Sequence, residues 1–312
     1  MSPVTRVNRT AEVPPELAGE RADKVAATLF DEFSRALLTR WMGDGALKVD
    51  GARVKPKTKL FGGECLELDA IAEPAEDWAS GQSVDFTVLH EDEDLLVVVK
   101  PAGVVVHPGA GNPDQTLVNG LLEHRPSLAQ LPRAGIIHRL DKDTSGLLVV
   151  AATLQAHTRL VRDLQDRAIE RRYLAVCEGR MVAGKDIEAP IGRDPRSRTR
   201  QAVREDGKPA LTRVRVQERY RSHTLIEAQL ATGRTHQIRV HLASVGYPLV
   251  GDRRYGARGR LPPAALPELV EVLRNFPRQA LHAWMLGLTH PGSGEQLEFS
   301  APLPADLTAL IE

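Results

Sequence analysis

The sequence predicts an α+β fold, built as a small N-terminal domain and a larger C-terminal body. Segments of helical periodicity and of strand alternation follow one another without a strict β-α-β order, which favours α+β over a doubly wound sheet. The 312 residues, 42% of them hydrophobic, can bury a substantial core. Residues 70–83 are acidic, contain Pro, Gly and Ser, and lack periodicity, so they predict a linker between the two parts.

Composition argues against several classes of protein. Cys65 and Cys177 are far apart and form no C-x-x-C pair, so neither a disulfide framework nor a cysteine zinc site is expected. No stretch of 18 apolar residues occurs, which predicts no membrane span and, with a polar N-terminus, favours the cytoplasm. Lys+Arg and Asp+Glu both number 41, so only local basic patches can indicate a nucleic-acid partner.

The N-terminal domain is predicted over residues 18–69, after a polar segment over 1–17 that we expect to be flexible. Residues 20–33 carry apolar side chains at helical spacing. Ser34 is suited to be the N-cap of a second helix over 35–42, which glycines then end.

Short strands and a basic surface follow these helices. Residues 47–49 and 64–68 alternate as strands, and Asp50-Gly51 is typical of a tight hairpin turn. Seven basic residues lie between 34 and 59, against two acidic ones. A solvated charged surface explains them as readily as RNA binding does. They are Arg35, Arg40, Lys48, Arg53, Lys55, Lys57 and Lys59.

The body is predicted over residues 84–312, with its elements set by alternation, periodicity and capping residues. Asp114 and Thr153 are suited to cap two of its helices. Strands are predicted at 86–90, 95–99, 172–178, 211–220, 224–230, 279–288 and 296–300, and helices at 114–124, 153–167, 235–244 and 266–275.

A polar loop between two apolar runs is the strongest functional feature. Ile136-Ile137 and residues 147–150 are predicted as buried strands, and residues 141–146 as the loop that joins them. Asp141 is thereby held at the end of rigid structure, where site chemistry is usually mounted. A lone aspartate in such a loop is more often simple turn chemistry.

The nine residues 138–146, His-Arg-Leu-Asp-Lys-Asp-Thr-Ser-Gly, resemble the active-site motif of the large-subunit type of RNA pseudouridine synthases. Residues 18–69 resemble the S4 RNA-binding domain, although Arg21-Ala22-Asp23 and Asp50 depart from its usual pattern. The resemblance spans roughly residues 18 to 305 and implies a mixed, largely antiparallel sheet with a catalytic cleft. Further matching blocks occur in the family's order at 89–108, 171–176, 232–256 and 278–283.

The resemblance also implies roles for single residues and no cofactor. Asp141 would be the catalytic carboxylate, with its role as nucleophile or proton acceptor left open, and Arg239 its cationic partner. Tyr173 would stack on the uracil and assist at the C5 proton. The substrate-binding and RNA-binding residues would be His138, Arg139, which fills the space of a flipped base, Arg234, Leu281 in the pocket, and Arg35, Arg40 and Lys48 in the S4-like domain. Each has a plain structural alternative as a core or surface residue.

A metal site is not expected. His138, His236 and His241, with Asp141 and Asp252, offer metal-binding side chains. His236 and His241 are five residues apart, however, about 140° around a helix, whereas a spacing of four puts two ligands on one face.

The resemblance implies ribosomal RNA as the partner, specifically the helix 69 stem-loop of 23S rRNA, either free or within the large subunit. Basic clusters in the body support polyanion binding. They comprise Arg193, Arg196, Arg198, Arg200 and Arg204, and then Arg234, Arg239, Arg253, Arg254, Arg258 and Arg260. Three alternatives remain open: a second large-subunit type that acts on other 23S rRNA uridines, a non-catalytic rRNA-binding assembly factor, and a metal-dependent hydrolase. Without an obvious apolar interface helix, we expect a monomer.

Overall fold

The computed structural model describes residues 5–30, 33, 35–72, 80–109, 111–197, 199–256, 261 and 264–312. The chain divides into two compact units, residues 1–77 and 78–312. Several sequence predictions lie outside the described residues: the Ser34 cap, residues 73–79 of the linker, and Arg198, Arg258 and Arg260 of the basic clusters.

The N-terminal unit packs two helices against a three-stranded antiparallel sheet of order β1-β3-β2. Its core contains Leu38 and Trp41 from one helix and Leu66 and Leu68 from the central strand. The elements are β1 (Thr5–Glu12), α1 (Ala22–Leu29), α2 (Arg35–Asp44), β2 (Leu47–Val49) and β3 (Cys65–Ala72), with a 3-10 turn at Pro15–Leu17.

The prediction of a flexible segment over residues 1–17 is wrong for residues 5–12, which pair with β3 along their whole length. This edge strand is mostly polar, with only Val7 buried among its described side chains, so it lacks the apolar alternation that reveals a strand. The predicted linker is likewise wrong at residues 70–72, which end β3.

The second unit is built on a nine-stranded sheet of order β4-β5-β6-β13-β7-β12-β11-β8, with β14 beside β13. Of the pairs described, β6 with β13 is parallel and the others are antiparallel, which confirms the α+β, mixed and largely antiparallel prediction. The strands are β4 (Thr87–Glu91), β5 (Leu95–Lys100), β6 (Ser145–Ala151), β7 (Glu170–Glu178), β8 (Lys185–Glu188), β11 (Leu211–Arg219), β12 (His223–Leu230), β13 (Leu281–Thr289) and β14 (Gln296–Ser300), while β9 (Ile191–Arg193) and β10 (Gln201–Val203) form a separate pair.

Helices cover both faces of this sheet. In β6, Leu148 and Val150 point into one core, and Leu147 and Val149 into the other, because successive strand side chains face opposite ways. The helices are α3 (Leu117–His124), α4 (Leu154–Gln165), α5 (Gln237–Ser244), α6 (Pro267–Asn275) and α7 (Ala305–Ile311), with 3-10 turns at Pro126–Gln130 and Pro132–Gly135.

Local predictions had mixed outcomes. Thr153 caps α4 as predicted, since its hydroxyl accepts the Ala156 amide at 3.1 Å. Asp114 does not cap α3, because Thr116 and Asn119 form a capping box there instead. Ile136-Ile137 is no strand, since Ile136 forms one isolated bridge to Val150.

Candidate active site

Asp141 lies in a loop that buried side chains hold in place. The Thr144 amide donates to the Asp141 carbonyl at 3.1 Å, which closes the turn. Arg278 Nη1 donates to the Asp143 carbonyl at 3.2 Å, and Gln279 Nε2 to Thr144 Oγ1 at 3.1 Å. Both supporting residues are buried and immediately precede β13, the parallel neighbour of β6. The loop is therefore fixed by the sheet itself.

A fully buried lysine adds to this support. Lys100 ends β5, and its ammonium donates to the carbonyls of Pro101, Val104 and Lys142 at 2.7, 2.8 and 2.9 Å. Burial lowers the pKa of Lys100 to about 7, partly opposed by nearby carboxylates. Three carbonyl acceptors favour the ammonium, because a neutral amine cannot donate three hydrogen bonds. Lys100 thus ties the end of β5 to the Asp141 loop.

Arg239 of α5 joins two carboxylates. Its Nε and Nη2 donate to Asp252 at 2.7 and 2.9 Å, while Nη1 donates to Asp141 Oδ2 at 2.8 Å. Burial alone would lower the pKa of Arg239, but its bonds to Asp252 and Asp141 raise it. Burial works to raise the pKa of Asp252, and the bonds and charge of Arg239 outweigh it and lower that pKa. Asp252 therefore orients the guanidinium, which in turn aims the Asp141 carboxylate.

His236 lies on the other side of Asp141. It occupies the left-handed region, with φ 57°, at the N-cap of α5. Tyr255 Oη accepts a hydrogen bond from the Gln201 amide at 2.8 Å. Its own hydrogen is therefore free to donate to His236 Nδ1, which lies 2.7 Å away. This geometry assigns the proton to Nε2, which lies 3.9 Å from Asp141 Oδ1. Burial lowers the pKa of His236, in keeping with a neutral ring.

Tyr173 stands on β7, in the middle of the sheet. It is 5% exposed, and burial raises its pKa to about 12, so the hydroxyl keeps its proton at neutral pH. Leu281, on the adjacent β13, packs in the same apolar core and is not among the residues that line the cleft. The pocket role of Leu281 therefore stays a prediction, because a buried strand position gives the same sequence signal.

The second unit contains a cleft of about 1290 Å³. His138, Arg139, Asp141, Tyr173 and Arg239 all line it, as does Arg234. Its walls are strongly basic, with Asp141 and Asp143 as their carboxylates. The lining arginines are Arg133, Arg139, Arg167, Arg171, Arg234, Arg239, Arg253, Arg254 and Arg278. A basic cleft around one positioned carboxylate suits chemistry on a polyanion.

Comparison with known proteins identifies the family. Residues 94–244 match the RNA pseudouridylate synthase family. The ribosomal large subunit pseudouridine synthase D of Pseudomonas aeruginosa is 51% identical over 98% of this chain and 95% of its own length. The chain belongs to the RNA pseudouridylate synthase family. The synthase D of Xanthomonas campestris is 52% identical, over 97% of this chain and 91% of its own.

A solved structure of the same family supports the fold. Human RNA Pseudouridylate Synthase Domain Containing 1 superposes with a TM-score of 0.55 at 28% identity, covering 74% of this chain and 88% of its own. The nine-stranded sheet and its cleft are thus those of an RNA pseudouridine synthase, as the resemblance implied.

The RNA-binding residues predicted in the N-terminal unit of this synthase are surface residues. Arg40 and Lys48 are exposed. Arg35 is half-exposed and donates to the buried Asp23 at 2.8 Å, a carboxylate that Arg21 also bonds. Part of the basic surface thus also stabilises its own unit.

Several residues that support the site of this synthase were missed from sequence alone. Lys100 had a detectable signal, since a charge directly follows the apolar run 95–99. Asp252 was considered as a metal ligand, whereas it bonds Arg239. Tyr255 and the loop-supporting role of Arg278 depend on long-range contacts that no local pattern reveals.

Metal-binding clusters and membrane-spanning helices are both absent from the described residues. Within the described ranges, no group of three His, Cys, Asp or Glu side chains converges as a metal site would require. Among the helices described, none has the length and apolar character needed to cross a membrane.

Proposed function

We propose that this synthase converts uridines of 23S rRNA to pseudouridine, with the helix 69 stem-loop as its target. The large-subunit names of relatives about half identical over nearly the whole chain support the rRNA class. The motif at 138–146, together with the S4-like N-terminal unit, supports the stem-loop. One observation carries the chemistry: Asp141 is hydrogen-bonded to Arg239 at 2.8 Å inside a basic cleft.

The isomerisation breaks the N1–C1′ bond, turns the base and joins C5 to C1′, with no net redox change. Asp141 acts at the sugar, either as the nucleophile at C1′ or as the base that removes a sugar proton. Arg239 favours the ionised carboxylate that both routes need, because an opposite charge at hydrogen-bond distance stabilises it. Asp252 keeps Arg239 in place by its two bonds.

Tyr173 meets the base in this proposal. The ring stacks on the uracil, and because its pKa is raised to about 12 the hydroxyl acts as a donor or relay rather than as a phenolate base. The target base is buried in its stem-loop and must be flipped out, at a cost of a few kcal/mol. Arg139, exposed at the cleft, fills the space that the base leaves.

The two domains share the binding of RNA. Residues 84–312 hold the cleft, where Arg234 and neighbouring arginines contact phosphates and His138 lies close to the base. Residues 18–69 serve as an S4-like RNA-binding domain through Arg35, Arg40 and Lys48. Such contacts supply sequence-independent affinity that falls with salt. We further propose a monomer that works in the cytoplasm.

Pseudouridine mapping of rRNA tests the target. A strain that lacks this gene should lose pseudouridine in helix 69 of 23S rRNA, and the native gene should restore it. Restoration by the native gene but not by its Asp141→Asn variant is the expected result. Loss only at other 23S rRNA positions would overturn the helix 69 target in favour of the second large-subunit type. No loss anywhere would favour the non-catalytic assembly factor.

A further inference from the structure

Arg171 is a buried cation without a counterion. It stands on β7 two residues before Tyr173, is 5% exposed and faces the cleft. Its side chain forms no hydrogen bond or ion pair with the residues that the structure describes, and its Nε lies buried without an acceptor. Burial lowers its pKa, yet a guanidinium stays charged. A buried, unpaired charge is costly, and a substrate group that accepts its hydrogen bonds would remove that cost.

His138 presents a second unpaired donor on the lining of the same cleft. Its Nε2 accepts the Val149 amide at 3.3 Å, so in a neutral ring the proton belongs to Nδ1. Burial, and then the charge of Arg171, lower the pKa of His138 to about 3, which keeps the ring neutral. Nδ1 is itself buried without an acceptor. Two N–H groups of cleft-lining side chains therefore have no acceptor among the described residues.

The surrounding chain fixes the arginine. A Cβ placed on Gly233 would lie 3.0 Å from Arg171 Nη1, so the residue 232–234 loop packs closely on the guanidinium. That loop lines the cleft and leads to His236 and Arg239. The side chain is thus positioned by packing rather than by a carboxylate.

We propose that Arg171 and His138 together bind a carbonyl oxygen of the target uracil and stabilise the negative charge of the base after N1–C1′ cleavage. This inference rests on the proposed function. The electron pair of the broken bond remains on N1 and spreads onto the carbonyl oxygens. Asp141 meanwhile bonds C1′ or takes the sugar proton. C5 then bonds C1′ as the Asp141–C1′ bond breaks or, on the other route, as Asp141 returns the proton to the sugar. C5 loses its proton and N1 gains one, so the charge on the base is transient.

A base carbonyl fits this site better than a phosphate does. Exposed arginines such as Arg139 and Arg253 are available for the RNA backbone. Arg171 is instead buried beside Tyr173, the residue proposed to contact the uracil. Donors held where charge develops stabilise a transition state without reorganising at the moment of reaction.

Single-turnover tritium release from 23S rRNA labelled at uracil C5 tests the site, alongside the RNA Kd at several salt concentrations. Arg171→Met should lower the saturating rate on the order of 10²-fold and leave the Kd and its salt slope unchanged. Arg171→Lys should recover part of the rate. His138→Leu should lose about tenfold, the equivalent of one neutral hydrogen bond. His138→Asn, which keeps an N–H near the Nδ1 position, should lose less.

Arg172→Met is the matched control. Arg172 points to the other face of β7, does not line the cleft and bonds Glu170 at 2.7 Å, so its loss should leave rate and Kd native. Arg171→Met should unfold at the same urea concentration as the native protein or a higher one, because no bonded partner is left behind.

Three results would overturn the proposal. A weaker Kd with a shallower salt slope and a native saturating rate would make Arg171 a phosphate contact. A strong loss of stability along with rate would make it structural, and native values throughout would give it no role. Tritium release by the native protein tests the proposed function itself. Failure of the native protein to release tritium from any 23S rRNA would count against that function, separately from the variants.

Discussion

Arg239 and Arg171 face the same cleft, yet Arg239 bonds two carboxylates whereas Arg171 bonds none. We call their surroundings the Asp141 wall (Asp141, His236, Arg239, Asp252 and Tyr255) and the Tyr173 wall (His138, Arg171 and Tyr173). Every polar side chain of the Asp141 wall has a hydrogen-bond or ion-pair partner within the described residues.

The difference shows that the side chains of the two walls are preorganised for substrate in different ways. On the Asp141 wall, bonds within the protein hold the reacting carboxylate in position, so no ordering is left for the moment of reaction. On the Tyr173 wall, packing holds the donors, and the substrate supplies the missing acceptor. Variants of the first wall should therefore cost stability as well as activity, whereas Arg171 variants should cost activity alone.

Substitution of Arg239 should have the largest effect on stability and activity. Arg239→Leu leaves Asp252, whose side chain is 1% exposed, as a buried carboxylate without its cation. We expect a loss of about 3–5 kcal/mol in the free energy of unfolding, measured by urea titration, and no tritium release. Adding Asp252→Leu should recover much of the stability and none of the activity. A single variant with native stability would break the contrast between the walls.

Lys100→Met should have the next largest effect. Three carbonyls lose their donor in the interior, so we expect a loss of about 2–3 kcal/mol in the free energy of unfolding and a lower turnover. Lys142→Met is the stability control, because only its backbone carbonyl takes part in this support. Equal urea midpoints for Lys100→Met and Lys142→Met would remove Lys100 from the support of the loop.

The free energy of unfolding should fall as the pH drops from about 6.5 to about 4. His282, whose Nδ1 pairs with Ser145 Oγ at 2.9 Å, has a pKa lowered by burial to about 4, and that of His138 is lowered to about 3. The unfolded chain binds these protons near pH 6.5 and the folded chain does not, so falling pH favours unfolding. The loss is on the order of 1–2 kcal/mol per histidine at pH 5.

His282→Gln tests the assignment of this acid sensitivity. Urea unfolding at a series of pH values should give a shallower slope for the variant than for the native protein over that window. Parallel slopes would mean that His282 does not contribute.

The smallest effect is expected at Tyr255. Tyr255→Phe removes the hydroxyl that sets the His236 tautomer and keeps the ring, whose centroid lies 5.1 Å from the Arg239 guanidinium carbon. We expect the rate of tritium release to fall about tenfold and the free energy of unfolding to fall by about 1 kcal/mol. Tyr220→Phe is the matched control, since its exposed hydroxyl bonds Glu218 outside the cleft. Equal rates of tritium release for Tyr255→Phe and Tyr220→Phe would show that the His236 tautomer has no role in the reaction.

Much of this architecture could be predicted from sequence, because buried strands such as 95–99 and 147–150 have continuous apolar runs and Thr153 carries a local cap signal. The edge strand β1 could not, since its polar side chains face solvent and its partner is β3, distant in sequence. Strand order was also beyond local patterns. The parallel contact of β6 with β13 joins residues far apart in the chain.

The motif resemblance indicated Asp141, Arg239 and Tyr173, and the structure places all three in one cleft. It could not reveal that Asp252 accepts two hydrogen bonds from Arg239, or that Arg171 lacks a counterion. Both are properties of three-dimensional neighbourhoods. Leu281 shows a further limit, because a buried strand residue and a pocket residue leave the same apolar signal in sequence.

Tritium release from 23S rRNA labelled at uracil C5, by the native protein and by Asp141→Asn, tests the central claim most directly. Asparagine keeps an oxygen for Arg239 and removes the charge, so the cleft should persist without its reacting carboxylate. Release by the native protein alone is the predicted result. Release by both proteins would show that Asp141 is not the reacting group, and release by neither would contradict the proposed activity.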